Sequence, residues 1–248
     1  MPSGGGLMSD FQPKRARDLF SDDAPGGDLV PGFVPLHGVT ILTAAPKVGK
    51  SYFANHLAAC VQGGDDFLGA SLPMATRVLY LDRESTIDEL QARTQTLERI
   101  YSQAGEVRFL RDRISIAADV DALIKCVREG LFGLVVIDTL ATVIVGLDEN
   151  DAGAMSGPID ALRRLEQETG VPVLLVAHSQ KSVSHSAVAA KTRGSNAITA
   201  LASQLLVLAP ARGGGVRLEV QPRLGPPYTR TLRRGDDGLW VPGLREVA

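Results

Sequence analysis

A short loop, TAAPKVGKS, directly follows the apolar run VTIL and has the residue types that bind phosphate. Ala44, four residues, and then Gly49, Lys50 and Ser51 match a phosphate loop in which alanine replaces the first glycine. Backbone N–H groups and a helix N-terminus converge on phosphate oxygens at such a loop. Lys50 would contact the β- and γ-phosphates, and Ser51 would give Mg²⁺ a hydroxyl. The predicted nucleotide contacts are Ala45, Pro46, Lys47, Val48, Gly49, Lys50, Ser51 and Tyr52.

Two more strand-like runs end in the carboxylates that nucleotide hydrolysis needs. Asp138 closes LVVID, where a buried strand would place it beside the phosphates as the acid that positions the metal. The run VLYLDRES carries Asp82 and Glu84. Glu84 is suited to orient and deprotonate an attacking water, and Asp82 is the competing candidate. Strand alternation would put both side chains on one face, so spacing does not separate the base from the bystander.

A fourth run, VPVLLVAHSQK, ends in polar residues that begin with His178. Ligands of open α/β sheets collect at the carboxyl ends of the strands. We therefore predict that His178 senses the γ-phosphate, against the alternative of a histidine that merely ends a strand.

The elements that must position these residues alternate between short β-branched runs and helical patterns from Val39 onward. This alternation predicts an α/β fold with a mainly parallel, twisted sheet flanked by crossover helices. The pattern at 159–168 predicts a helix with Ser156 as its cap and Pro158 in its first turn. After Ala197, the runs QLLVLA, VRLEV and YTRTLRR predict an antiparallel C-terminal edge.

Length and composition indicate the domain organisation and the cellular compartment. The chain has 248 residues, of which 44% are hydrophobic, and this suits one domain over 30–248. Residues 1–29 are rich in Gly, Ser, Asp and Pro and predict a flexible arm. A net charge of −2 gives no global basic field. Cys60 and Cys126 lack metal-binding spacing, and no run is long enough to span a membrane, so we expect a cytoplasmic protein.

The ordered set TAAPKVGKS, LYLDRES, LVVIDTL, ENDAGAMSG, VLLVAHSQK, KTRGSNA and PRLGPP resembles the RecA-like ATPases of the RepA/DnaB replicative-helicase type. The resemblance covers roughly residues 30 to 240 and is strongest to small single-domain RepA-type proteins of plasmids and phages. It implies a homo-oligomer, a hexameric ring with ATP and Mg²⁺ between subunits. It also implies Glu84 as the base, Asp138 as the Walker B acid, His178 as the sensor and Arg93 packed on adenine.

The same resemblance implies an arginine that enters the site from a neighbouring subunit and offsets charge on the γ-phosphate. Two candidates remain open on the sequence. Arg223 lies in PRLGPP, and Arg193 lies in KTRGSNA, where it could instead order a nearby loop.

Two loops would face the channel of such a ring. The loop at 141–157 is acidic, whereas the loop at 181–196 carries Lys181, Lys191 and Arg193 and would contact single-stranded DNA through its phosphates. The leading interpretation is an ATPase coupled to DNA translocation or unwinding in plasmid or phage replication. The alternatives are an ATP-switched recombination or assembly protein with a partner protein, and a regulator that never contacts DNA.

Overall fold

The computed structural model describes residues 27–149, 151–178, 196–211, 215–235 and 239–243. The strands are β1 (Asp28–Val30), β2 (Val34–Pro35), β3 (Val39–Ala44), β4 (Arg77–Asp82), β5 (Arg108–Leu110), β6 (Phe132–Asp138), β7 (Val173–His178), β8 (Ala202–Pro210), β9 (Val216–Pro222), β10 (Tyr228–Arg234) and β11 (Trp240–Pro242). The α-helices are α1 (Lys50–Gly63), α2 (Ile87–Glu98), α3 (Val120–Gly130), α4 (Leu140–Val143), α5 (Ser156–Thr169) and α6 (Asn196–Leu201). A 3₁₀ turn occupies Ala104–Glu106.

Among the described residues, β3 to β11 form one nine-stranded sheet in the order β11-β10-β9-β8-β3-β7-β6-β4-β5. The pairs among β3 to β8 are parallel, and β9, β10 and β11 continue the sheet from β8 in antiparallel pairing. The phosphate-loop strand β3 therefore lies in the middle of the sheet, between β7 and β8. This arrangement confirms the predicted mainly parallel α/β fold with an antiparallel C-terminal edge.

Both faces of the sheet are covered, which explains why the central strands are buried along their length rather than at alternate positions. All six residues of β3 are buried, as are five of the six in β7. One core contains α1 with Phe53 and Leu57, and the core on the other face contains α3 and α5 with Leu123 and Leu162.

Two details of the predicted elements were wrong. Ser156 does not cap α5, because it is the first helical residue and its hydroxyl donates to the carbonyl of Gly153 at 2.8 Å. The run QLLVLA is not wholly part of an antiparallel edge, since β8 pairs in parallel with β3 on one side and antiparallel with β9 on the other. The parallel pairing with β8 gives the central strand β3 a hydrogen-bonded neighbour on its second side, opposite β7.

No helix in the described part of the chain has the length and apolar character needed to cross a membrane. Most of the predicted arm, up to residue 26, lies outside the described residues.

Candidate active site

The phosphate loop joins β3 to α1 at the carboxyl edge of the sheet. Gly49 precedes the helix with φ 106°, a left-handed conformation that glycine adopts without strain. No side chain caps the 14-residue helix, so no side-chain acceptor occupies its first N–H groups. These donors and the positive end of the helix dipole suit a phosphate group.

Lys50 is buried at the start of α1 and is held on the loop itself. Its ammonium donates to the carbonyl of Ala44 at 3.1 Å and to that of Ala45 at 3.4 Å. Burial lowers the pKa of Lys50, and the carboxylates of Asp138 and Glu84 oppose that shift. The side chain therefore lies near two acids, in a position to exchange loop carbonyls for phosphate oxygens.

Asp138 ends β6 and is almost fully buried, with 1% of its surface exposed. Burial raises its pKa to about 6, and the hydroxyls of Tyr80 and Ser51 offset part of the rise. Its Oδ1 atom is buried without a hydrogen-bond partner, while Oδ2 accepts from the Tyr80 hydroxyl at 2.8 Å. A buried carboxylate with one unused oxygen beside a serine hydroxyl fits the oxygen ligands of Mg²⁺.

A buried polar relay connects Asp138 to the phosphate-loop helix. Asn55 donates to the carbonyl of Ser51 at 2.8 Å and to the hydroxyl of Tyr80 at 2.9 Å, and Tyr80 in turn donates to Asp138. Ser51 and Asp138, the two predicted metal ligands, are thus fixed relative to each other. Sequence reasoning missed Asn55 and Tyr80, although Asn55 lies one helical turn after Ser51, on the same side of α1.

The structure separates Asp82 from Glu84. Asp82 is fully buried, and its Oδ1 accepts from the backbone N–H groups of Glu84 at 3.0 Å and Ser85 at 2.9 Å. Glu84 lies beyond the end of β4, with 54% of its side chain exposed. The prediction that both share one strand face was wrong, because the strand stops at Asp82 and the chain turns there. This geometry favours Glu84 as the base, with Asp82 fixing its loop.

His178 and Glu84 approach each other across the site. The Nε2 atom of His178 lies 3.8 Å from Oε1 of Glu84, which is too long for a hydrogen bond. Both side chains keep exposed surface toward the same cavity, so a bound ligand can reach either one.

A cavity of about 330 Å³ brings most of the predicted residues together. It is lined by Pro46, Lys47, Gly49, Lys50, Ser51, Tyr52, Glu84, Arg93, Thr139, His178 and Arg234. Ala45 and Val48 do not line it: the carbonyl of Ala45 accepts from Lys50, and Val48 packs on the core. Asp138 lies behind the lining, buried at the end of β6.

Arg93 and Arg234 both pack on the ring of Tyr52 at the edge of this cavity. The guanidinium carbon of Arg93 is 5.1 Å from the ring centroid, and that of Arg234 is 4.2 Å away. Arg93 also donates to the hydroxyl of Ser85 at 2.8 Å. Arg234 packs on Trp240 as well, at 4.9 Å, and was missed because no local motif marks the end of β10.

Arg223 lies at the opposite edge of the sheet from the phosphate loop. Its backbone N–H donates to the carbonyl of Ser203 at 2.9 Å, near the start of β8. The length of β8 separates it from the carboxyl edge, roughly 20 Å for a strand of this kind. The other predicted finger, Arg193, and the predicted DNA contacts Lys181 and Lys191 lie outside the described residues.

A family profile described as AAA domain matches residues 8–184, well over half of the chain. The match includes the phosphate loop, Glu84, Asp138 and His178, and it ends before β8. A comparison with curated proteins found no match.

Proposed function

Since the chain belongs to the AAA domain family of P-loop ATPases, we propose that it hydrolyses ATP with Mg²⁺ in the cavity at the carboxyl edge of its sheet. The observation that carries the proposal is the meeting of Lys50, Asp138 and Glu84 around that cavity. A cation, a buried metal-binding acid and an exposed base are the three groups that in-line attack on a γ-phosphoryl group requires.

Each group has a distinct task. The N–H groups of α1 and Lys50 hold the phosphates, while Ser51 and Asp138 hold Mg²⁺, which neutralises charge on the phosphate oxygens when bound. Glu84 orients a water molecule and takes its proton. His178, 3.8 Å from Glu84, is placed to sense whether a γ-phosphate lies between them. Arg93 and Tyr52 form a flat cationic and aromatic surface on which the adenine stacks.

Steady-state hydrolysis measured on three variants tests this assignment. Lys50→Ala should abolish turnover, and Glu84→Gln should keep nucleotide affinity within a few-fold while turnover falls by about 10²–10⁴. Glu129→Gln is the matched control, because Glu129 is an exposed acid on α3 far from the cavity. Full turnover in Glu84→Gln would contradict the role of this base.

The finer proposal is a ring ATPase of the RepA/DnaB replicative-helicase type, in which Arg223 completes the site of a neighbouring subunit. In support, Arg223 cannot reach its own cavity from the opposite edge of the sheet, and its side chain is exposed. It would offset charge on the γ-phosphate in trans.

Mixing two inactive variants tests the shared site. Lys50→Ala and Arg223→Ala should each lack turnover alone, and a mixture should regain part of it, because some interfaces combine Lys50 from one subunit with Arg223 from another. Arg233→Ala, at an exposed arginine of β10, is the control and should keep full activity. A mixture as inactive as its components would refute a shared site.

Coupling to single-stranded DNA is the remaining part of the proposal. The ATPase rate should rise with single-stranded DNA at low salt, and specific activity should rise with protein concentration as rings form. A rate indifferent to DNA would instead favour a nucleotide-switched assembly or regulatory protein. A strand-displacement assay then separates unwinding from binding alone.

A further inference from the structure

A second groove, of about 420 Å³, opens at the same edge of the sheet as the phosphate-loop cavity. It lies between the loop after β4 and the segment after β6, and its lining residues are Arg83, Arg113, Ala141, Thr142, Val145 and Gly146. The groove and the cavity share no lining residue. They adjoin through the chain, since Arg83 lines the groove and Glu84 lines the cavity.

The groove carries two guanidinium groups that nothing in the described part of the chain neutralises. Neither Arg83 nor Arg113 has a hydrogen bond, an ion pair or an aromatic contact with a described residue. Other arginines are engaged: Arg93 with Ser85, Arg111 with the carbonyl of Ser85, Arg164 with Asp121 and Glu168, and Arg217 with Glu219. Two exposed arginines that line one groove give it a positive charge that attracts an anion.

The residues that line the groove indicate which kind of anion it binds. One guanidinium group binds two phosphate oxygens through two parallel N–H···O hydrogen bonds. An open groove admits a continuous chain rather than one enclosed ion. Ala141, Val145 and Gly146 offer neither a deep apolar pocket nor a polar group that would recognise a peptide side chain, and Thr142 donates its hydroxyl to the carbonyl of Thr139. The lining contains no aromatic ring, so bases would not stack there.

We propose that this groove binds the sugar–phosphate backbone of a single-stranded polynucleotide through Arg83 and Arg113, and that Arg83 makes ATP hydrolysis respond to it. The proposal rests on the ATPase function proposed above. It concerns a site separate from the basic loop predicted at 181–196, and it predicts binding without sequence preference.

The short loop after β4 provides the link between the two sites. Asp82 holds the backbone N–H groups of Glu84 and Ser85, so residues 82–85 form one hydrogen-bonded turn. Arg83 lies inside that turn. A phosphate that draws Arg83 into the groove therefore moves the backbone that carries Glu84, whose side chain has no hydrogen bond to His178 at 3.8 Å.

Fluorescence anisotropy with labelled oligo(dT), in the presence of ADP, tests binding apart from hydrolysis. Arg83→Gln and Arg113→Gln should each weaken binding about fivefold to tenfold and reduce the salt slope by about one. Arg99→Gln, at an exposed arginine on the end of α2, is the matched control and should bind as the unmodified protein does. Thermal melts establish that each variant is folded.

A second readout separates the two arginines. Stimulation of the ATPase by saturating oligo(dT) should be lost in Arg83→Gln and kept in Arg113→Gln, because only Arg83 adjoins Glu84. Unchanged oligo(dT) affinity in both variants would overturn the proposal. If the variants lose affinity for poly-glutamate as much as for oligo(dT), the proposal is also overturned, because the groove would then bind acidic protein segments. If the variants lose oligo(dT) affinity as expected but the unmodified protein hydrolyses no ATP, the ATPase function is refuted and the proposed binding in the groove still holds.

Discussion

The buried hydroxyl of Tyr80 offers a sharp test of how the fold controls Asp138, the acid proposed to bind the metal. Tyr80→Phe removes one oxygen and keeps the ring in the core, where Tyr80 is fully buried. The substitution deletes the donor to Asp138 at 2.8 Å and the acceptor of Asn55 at 2.9 Å. Asn55 keeps its bond to the carbonyl of Ser51, so the main loss falls on the carboxylate.

The size of the effect depends on the charge of Asp138. A hydrogen bond to a charged acceptor contributes about 1.5–3 kcal/mol, and one to a neutral acceptor about 0.5–1.5 kcal/mol. The pKa of Asp138 is about 6, so the group is mostly protonated at pH 5 and ionised at pH 8. Tyr80→Phe should therefore lower the free energy of unfolding by about 1 kcal/mol at pH 5 and about 2–3 kcal/mol at pH 8. The difference corresponds to a further rise of about one unit in the pKa of Asp138.

Urea unfolding of the nucleotide-free protein at pH 5 and pH 8 measures both values. Tyr228→Phe is the matched control, because it removes a hydroxyl that donates to the carbonyl of Gly32, far from any acid of the site. The control should lose the same free energy at both pH values. An equal loss at both pH values for Tyr80→Phe would refute the argument that this hydroxyl favours the ionised form of Asp138.

Three further predictions concern the same site. Gly49→Ala should lower the melting temperature by about 2–10 °C, since the new Cβ would lie 2.8 Å from Trp240 at φ 106°, whereas Gly146→Ala, at φ 79° with open space, should cost less. Asp138→Asn should gain about 2–3 kcal/mol in free energy of unfolding relative to the unmodified protein as the pH rises from 4 to 6, because the folded pKa of Asp138, about 6, lies above its ordinary value of 3.8. Urea titrations measure this, and a difference between the two proteins that does not change with pH would contradict it. Asp82→Asn keeps an oxygen for the N–H groups of Glu84 and Ser85, so ATP turnover should stay within about tenfold; a loss as large as that of Glu84→Gln would make Asp82 the base.

The parts of the site that follow strand ends were predictable from sequence. Lys50, Asp138 and His178 each occupy a fixed offset from an apolar run, and parallel strands deliver such residues to one edge. The strand pattern could place Glu84 near that edge as well. It could not show that β4 ends at Asp82, because the turn depends on a side-chain hydrogen bond that alternation does not encode.

The remaining site residues depend on pairings between distant segments. Arg234 reaches the cavity because β10 runs antiparallel to β9 and ends at the carboxyl edge, and Tyr80 reaches Asp138 because β4 lies beside β6. Neither pairing can be read from a local pattern, so Arg234 and Tyr80 went unrecognised. Asn55 was missed with them because its role depends on its hydrogen bond to Tyr80, although it lies one helical turn after Ser51. The same register places Arg223 at the far edge, which sequence spacing alone did not reveal.

The central place of β3 also constrains the order in which the protein can fold. Val39 pairs with Val173 on one side and Ala202 on the other. The strand that carries the phosphate loop therefore cannot pair until the ribosome has synthesised β7 and β8, more than 120 residues later in the chain. Such non-local pairing slows folding and leaves a hydrophobic strand with two open edges in the nascent chain. Nucleotide binding would therefore appear only once β7 and β8 have inserted, which makes ATP affinity a sensitive marker of complete folding.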